Sequence, residues 1–143
     1  MSLEKNKAIA RRYQEEVWGK GNLALIDELL APAFVDHSLP TGMDPGFAGA
    51  KQAVKGAHEA FPNGQWAVED LIAEGDKVVI RWKMHAAHKH EFRGIAPGGK
   101  PVTVTGITIL RIVDSKIAER WVQFDRGGAL QQLGVTQSPW QAS

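Results

Sequence analysis

The sequence has 143 residues, with 17 basic and 16 acidic side chains and a formal net charge of +1 at pH 7. Because neither sign of charge runs in a block, the composition gives no support to nucleic-acid binding or to docking on a membrane surface. Cysteine is absent, which excludes disulfides, thiolate metal sites and cysteine nucleophiles. The length predicts a single domain over residues 1–143 with a sizeable core.

No apolar run approaches the ~20 residues that a membrane-spanning helix requires. The chain starts with charged residues that no apolar segment follows, unlike a secretory signal peptide. The sequence therefore predicts a cytoplasmic protein without a nucleic-acid or membrane partner.

The first part of the chain predicts three helices. Apolar side chains recur every fourth position at Ile9, Tyr13 and Val17, within a helix over residues 3–20. Asn22 is expected to cap a second, short helix that ends near residue 30. An extended piece over residues 34–37 and a loop over 38–46 lead to a third helix over 47–61, whose inner stripe includes His58.

Further along the chain the period changes to two, which indicates strands. Four strands are predicted over residues 66–72, 78–84, 102–113 and 116–125, and a last short helix over 128–133. Alternation in the first of them places Trp66, Val68, Asp70 and Ile72 on one face. Three helices followed by an antiparallel meander make an α+β fold. A strongly curved sheet packed on the helices would enclose a pocket.

Several stretches of the chain resemble the SnoaL-like polyketide cyclase family, also called ester cyclases. They include residues 16–30 (EVWGKGNLALIDELL), the tetrad Phe34-Val35-Asp36-His37 and the segment 116–134. The last segment contains a Glu-x-Trp-x-x-x-Asp strand end followed by Leu-Gln-Gln-Leu-Gly. The resemblance runs in order along nearly the whole chain.

The resemblance implies a conical α+β fold of the cystatin-like or nuclear-transport-factor-like kind, a homodimer, and chemistry without a cofactor. Characterised members of the family close a ring by intramolecular aldol condensation in aromatic polyketide biosynthesis. The aspartate that matches Asp125 serves there as the general acid/base. The implied partner of this chain is a small hydrophobic substrate, up to a polycyclic one in size.

Asp125 is accordingly the leading catalytic candidate. The family pattern places Trp121, Gln123 and Asp125 on the inner face of the last strand, although Val122 and Phe124 on its other face are equally apolar. A carboxylate beside a tryptophan in a closed cavity loses hydration, which raises its pKa toward the pH of the reaction. The alternative is a structural aspartate that pairs with an arginine or caps the following helix.

Three further side chains are candidates for polar assistance. His37 could orient a carbonyl group or pass a proton, and His88 matches a histidine common in the family. Tyr13 could hold an oxyanion, as a tyrosine does in ketosteroid isomerases of related fold. His85, His88 and His90 lie close together but lack a carboxylate at a metal-binding spacing, so the sequence predicts no metal.

Aromatic and polar side chains are expected to line the pocket and bind the substrate. The predicted set is Phe34, His58, Phe61, Trp82, Phe92, Trp121 and Gln123. For His58, a core residue with an ordinary hydrogen bond is the alternative. Three functions stay open: a polyketide cyclase, an isomerase or epoxide hydrolase on the same fold, and a pocket protein that binds a small molecule without turnover.

Overall fold

The computed structural model describes residues 2–87 and 101–132 of the chain. Its helices are α1 (Leu3–Arg12), a π-helix (Tyr13–Trp18), α2 (Ala24–Leu29), α3 (Phe47–Ala60) and α4 (Arg126–Gln132). Its strands are β1 (Leu30–Asp36), β2 (Gln65–Glu74), β3 (Lys77–Ala87), β4 (Pro101–Val113) and β5 (Lys116–Phe124). The predicted α+β class is confirmed.

The first predicted helix changes its winding at Tyr13. The backbone stays right-handed there, but the N–H of Gly19 donates to the carbonyl oxygen of Gln14, five residues back. The resulting π-helix has a wider turn than an α-helix. Its buried residues are Tyr13, Gln14, Val17 and Trp18, so a polar side chain is buried together with three apolar or aromatic ones.

The predicted cap of the second helix is wrong. The residue that precedes α2 is Leu23, and no side chain caps this helix. Asn22 takes part only through its backbone carbonyl, which accepts a hydrogen bond from the N–H of Leu25 at 3.3 Å. Helix α2 ends at Leu29, close to the predicted end near residue 30, and Leu30 begins β1.

The sheet has five strands in the order β1-β5-β4-β3-β2. Strands β2 to β5 form the predicted antiparallel meander. The short extended piece predicted over residues 34–37 is part of a longer strand, β1, which pairs in parallel with β5 and brings Asp36 opposite Arg120. Tertiary pairing therefore extends this strand back to Leu30, across the proline at position 32, where the local sequence did not indicate a strand.

Two β-bulges reverse the alternation that the sequence predicts. Ile112 pairs with Ile117 and Arg111 with Glu119, so Ala118 is an extra residue in β5. A bulge of this kind moves all later side chains to the opposite face. Beyond Ala118 the residues at even positions therefore point inward. In β2 the same effect at Glu69 brings Leu71 to the core side and leaves Ile72 exposed.

The helices cover one face of the sheet and form the core with it. Helix α1 packs against β2 and β3, and α3 against α2 and β1. The largest fully buried side chains include Tyr13, Ile80 and Leu110. Within the described parts of the chain, none of the helices is both long and apolar enough to cross a membrane.

Candidate functional site

A cavity of about 640 Å³ opens between the π-helix, α3 and the inner face of the sheet. This volume is typical of sites for small organic ligands. Its wall is mainly apolar and aromatic, with Trp18, Phe61, Trp66, Trp82, Met84 and Phe124 among the lining residues. The cavity is thus built for a hydrophobic molecule.

One buried ion pair lies at the wall of this cavity. The Nη1 atom of Arg120 lies 2.8 Å from Oδ2 of Asp36, and the two side chains are only 6% and 2% exposed. Oδ1 of Asp36 accepts a hydrogen bond from the N–H of Ser38 at 2.9 Å. The guanidinium carbon of Arg120 lies 4.5 Å from the ring centroid of Trp18, a distance typical of a cation–π contact. Arg120 is therefore held from two sides.

Two buried polar atoms of residues in the cavity wall have no hydrogen-bond partner among the described residues. They are Nε of Arg120 and Oε1 of Gln14, and both residues line the cavity. An unmatched polar atom in an apolar setting costs on the order of 1–3 kcal/mol. One donor and one acceptor at the same cavity wall are therefore suited to a ligand that carries both an acceptor and a donor.

Tyr13 lies behind this wall and is 1% exposed. Burial raises the pKa of its hydroxyl, while the nearby charge of Arg120 opposes that rise. The residue therefore remains a neutral phenol at neutral pH. The structure brings Tyr13 close to the Asp36–Arg120 pair but does not include it among the residues that line the cavity.

Asp125 does not lie where the family pattern predicts. The inner face of β5 carries Arg120, Val122 and Phe124, whereas Asp125 is exposed. Its Oδ1 accepts a hydrogen bond from the N–H of Gly128 at 2.8 Å, which is the geometry of a helix N-cap on α4. The inward orientation predicted for Trp121, Gln123 and Asp125 is wrong because the bulge at Ala118 shifts the alternation by one residue.

His37 also lies on the outer face of the sheet. Its Nε2 is 3.0 Å from Oε1 of Glu119, and its ring stacks on Trp121 with centroids 4.9 Å apart. Glu119 in turn accepts a hydrogen bond from Arg111. The bond from Arg111, and then the one from His37, lower the pKa of Glu119. This outer cluster is separated from the cavity by the sheet.

The other predicted wall residues divide into three groups. Trp82 and Phe61 line the cavity. Phe34 is buried in the core without lining the cavity, and His58 is held by a contact of 2.6 Å between its Nε2 and the carbonyl oxygen of Trp18. That contact fits the structural reading of His58. The remaining candidates, His88 and Phe92, lie outside the described residues, as does His90.

The described residues contain no cluster of three or more potential metal ligands. His85 lies on the exposed side of β3, where its Nδ1 is 2.9 Å from Oγ1 of Thr103. The absence of a metal from the function stays a prediction.

The sequence reasoning missed Arg120 and Gln14 as site residues. One signal was available for Arg120, since it lies two residues before Val122 and four before Phe124 on a face that is otherwise apolar. A charged residue in such a row is either paired or functional. For Gln14 a signal was also present, since it lies four residues after Ala10 and four before Trp18, on the same face of the predicted helix.

Comparison with known proteins agrees with the fold described above. The model of the SnoaL-like polyketide cyclase family matches residues 8–133. Among the curated proteins, none matches the chain.

Solved structures agree with the fold closely. The structure of a proposed polyketide cyclase from Acidithiobacillus ferrooxidans is 33% identical, with a TM-score of 0.80 over 93% of this chain and 97% of that one. A proposed polyketide cyclase from Bacillus cereus is 30% identical, with a TM-score of 0.80 over 94% and 86% of the two chains. The proposed hydroxylase AclR from Streptomyces galilaeus is 28% identical, with a TM-score of 0.83 over 96% and 89%.

Proposed function

The chain belongs to the SnoaL-like polyketide cyclase family, and on this basis we propose that its cavity binds a small apolar carbonyl compound of the polyketide type and closes a ring by intramolecular aldol condensation. The observation that carries the proposal is the guanidinium of Arg120, which Asp36 and Trp18 hold at an apolar, aromatic cavity wall. A positively charged donor fixed there would polarise a bound carbonyl group.

The reaction needs an acidic C–H, a carbonyl carbon and a place for negative charge. Removal of an α-proton gives an enolate, whose carbon forms a bond to a second carbonyl carbon of the same molecule. The oxygen of that carbonyl takes the charge and receives the proton removed in the first step, which gives a hydroxyl group. Where the reaction continues to an alkene, this hydroxyl leaves as water together with a second α-proton, and a carbon–carbon double bond forms. Arg120, held rigidly by Asp36 and Trp18, would stabilise the oxyanion without reorganisation.

The family pattern assigns the proton transfers to Asp125. In the structure its carboxylate caps α4, but Phe124 and Ala129 on either side of it both line the cavity. Our proposal keeps Asp125 as the acid/base on one condition, namely that its side chain leaves the N–H of Gly128 and turns to the cavity when substrate binds. The only carboxylate among the described cavity-lining residues is Glu59, whose side chain is largely exposed.

The second candidate function is ligand binding without turnover. It is favoured by one observation: no buried carboxylate lines the described part of the cavity. The other enzymatic readings find less support. An isomerase would need an ionised, unpaired base near Asp36, whereas Asp36 itself is paired with Arg120. An epoxide hydrolase would need an Asp-Arg-Asp set that activates water, whereas Arg120 has a single carboxylate partner among the described residues.

Deuterium exchange at an activated methylene group separates these functions. The probe is 1-(2-naphthyl)butane-1,3-dione, whose exchange in D₂O is followed by NMR. We expect the protein to accelerate exchange, and Asp125→Asn to reduce this acceleration by ~10²–10⁴. Arg120→Lys keeps the charge but loses the Nε donor, so it should slow exchange while preserving the fold. Binding of the probe without any acceleration would refute the enzymatic proposal and leave the binding function.

A further inference from the structure

The charged side chains in the cavity wall differ in their exposure to solvent. Lys55, Glu59 and Arg120 are the charged residues of its described wall. The first two are exposed at roughly two-thirds of their side-chain surface and lie 4.0 Å from each other, so solvent screens them. In the buried part of this described wall, Arg120 is the only charged residue, and Asp36 neutralises its charge directly.

We propose that Asp36 determines the charge class of the ligand, because by neutralising Arg120 it makes the cavity select a neutral carbonyl or hydroxyl compound over a carboxylate of the same shape. This inference rests on the proposed function, since it concerns the ligand of the same cavity. Asp36 does not itself line the cavity. Its proposed role is to position Arg120 and thereby to determine specificity.

The first reason is electrostatic. A carboxylate that enters an apolar cavity loses its hydration, and only a net positive charge can offset that loss. Here the guanidinium already shares a hydrogen bond with Asp36, so a second carboxylate would face an ion pair with no net charge. A neutral carbonyl loses much less hydration and needs only one donor, which the guanidinium can supply in addition to its bond with Asp36.

The second reason is independent of charge. Oε1 of Gln14 is an acceptor that is buried in the same wall and has no donor. A carboxylate offers only acceptors, whereas an enol or a phenol also offers a donor. The wall thus matches a ligand that presents a carbonyl oxygen and a hydroxyl group, such as an enolised 1,3-dicarbonyl or an aryl ketone with a neighbouring hydroxyl.

Two probes of equal shape test the inference: 2-acetylnaphthalene, which is neutral, and 2-naphthoate, which is charged. Binding is measured by calorimetry and by the fluorescence of the tryptophans in the wall. We expect the unchanged protein to bind the ketone at least about tenfold more tightly than the carboxylate. Asp36→Asn should shift this ratio at least about thirtyfold toward the carboxylate, while Asp36→Glu retains the original preference.

Asp27→Asn is the matched control, because it removes one carboxylate from an exposed ion pair with Lys51 and should leave the ratio unchanged. If Asp36→Asn does not fold, Gln14→Met replaces it, and removal of the acceptor should still shift the ratio severalfold toward the carboxylate. A folded Asp36→Asn protein with an unchanged ratio would overturn the inference but not the proposed function. Failure of both probes to bind the unchanged protein would overturn both.

Discussion

Gly106 in β4 lies directly beneath the indole ring of Trp82 in β3. A Cβ atom added at Gly106 would come within 2.7 Å of Cε2 of that ring. The ring cannot move freely, because Nε1 of Trp82 donates to Oγ1 of Thr108 at 2.9 Å. The missing side chain thus allows Trp82 to lie flat on the sheet and form part of the cavity wall.

Gly106→Ala is therefore expected to displace Trp82 and break its hydrogen bond. We expect the free energy of unfolding, measured by urea denaturation, to fall by about 1–3 kcal/mol. Binding of an apolar probe in the cavity should weaken as well. Gly56→Ala in α3 is the control for stability only, because Gly56 itself lines the cavity. Among the described residues, no atom of a neighbouring element lies within 4 Å of the added Cβ, and a helical alanine is expected to raise stability slightly. Equal stability of the two variants would contradict this account of Gly106.

Tyr13 is the only tyrosine of the chain, so the phenolate absorbance reports on it alone. Because burial raises its pKa, the folded protein should resist ionisation at pH values where the unfolded chain titrates, near the ordinary value of about 10. The unfolded state then holds fewer protons than the folded state, and stability should fall as the pH rises above that value. In Tyr13→Phe this alkaline loss should shrink. A tyrosine that titrates normally in the folded protein would contradict the burial.

Asp125 should contribute to stability through its cap on α4. Asp125→Ala removes the acceptor for the N–H of Gly128 and is expected to lower the free energy of unfolding by about 1 kcal/mol. Asp125→Asn keeps an oxygen at this position and should leave stability nearly unchanged. Thermal melts of the two variants make the comparison. A loss in the asparagine variant as large as in the alanine variant would show that the negative charge, rather than the cap, is what matters.

We propose that two copies of the chain associate through the outer face of the sheet. Strand pairing aligns Ile72, Val79, Ile109 and Trp121 in one apolar row across four strands. Ile72 on this row is 61% exposed, and Ile107 beside it is 48% exposed. An apolar surface of this extent favours burial in an interface.

Ile107→Lys should convert the dimer to a monomer in sedimentation experiments at micromolar concentration. Leu3→Lys is the matched control, because Leu3 is also an exposed apolar residue but lies in α1, away from the sheet. A monomeric unchanged protein, or a dimer that survives Ile107→Lys, would rule out this interface.

Local patterns in the sequence predicted most of the elements, because helices and hairpins depend on neighbouring residues. The predicted strand bounds left room for two tight turns, and the structure has them, one at Gly75 and one at Asp114 and Ser115, where both φ values are positive. The faces of β2 and β5 were not, since a single bulged residue in each strand reverses the alternation. The parallel pairing of β1 with β5 joins residues more than 80 positions apart, and no local pattern encodes it.

The candidate site, too, could be predicted only where local sequence patterns determine it. The aromatic wall at Trp82 and Phe61 could be expected from composition. The Asp36–Arg120 pair depends on the β1–β5 pairing and on the bulge at Ala118 together. Of its two members, Asp36 was noted in the sequence only as part of the family tetrad, and Arg120 was missed as a site residue.

The π-helix between Tyr13 and Trp18 has a consequence for how the protein could change over evolutionary time. A π-turn holds one residue more than the α-helical turn it replaces. Deletion of a single codon in this segment would let it wind as an α-helix while the turns before and after it keep their orientation, because the π-turn absorbs the extra residue locally. The side chains inside the segment would then take new positions around the helix axis, and Gln14, which lines the cavity, is among them. An insertion or deletion in this helix can thus change the polar groups that face the cavity, without any substitution in the rest of the wall.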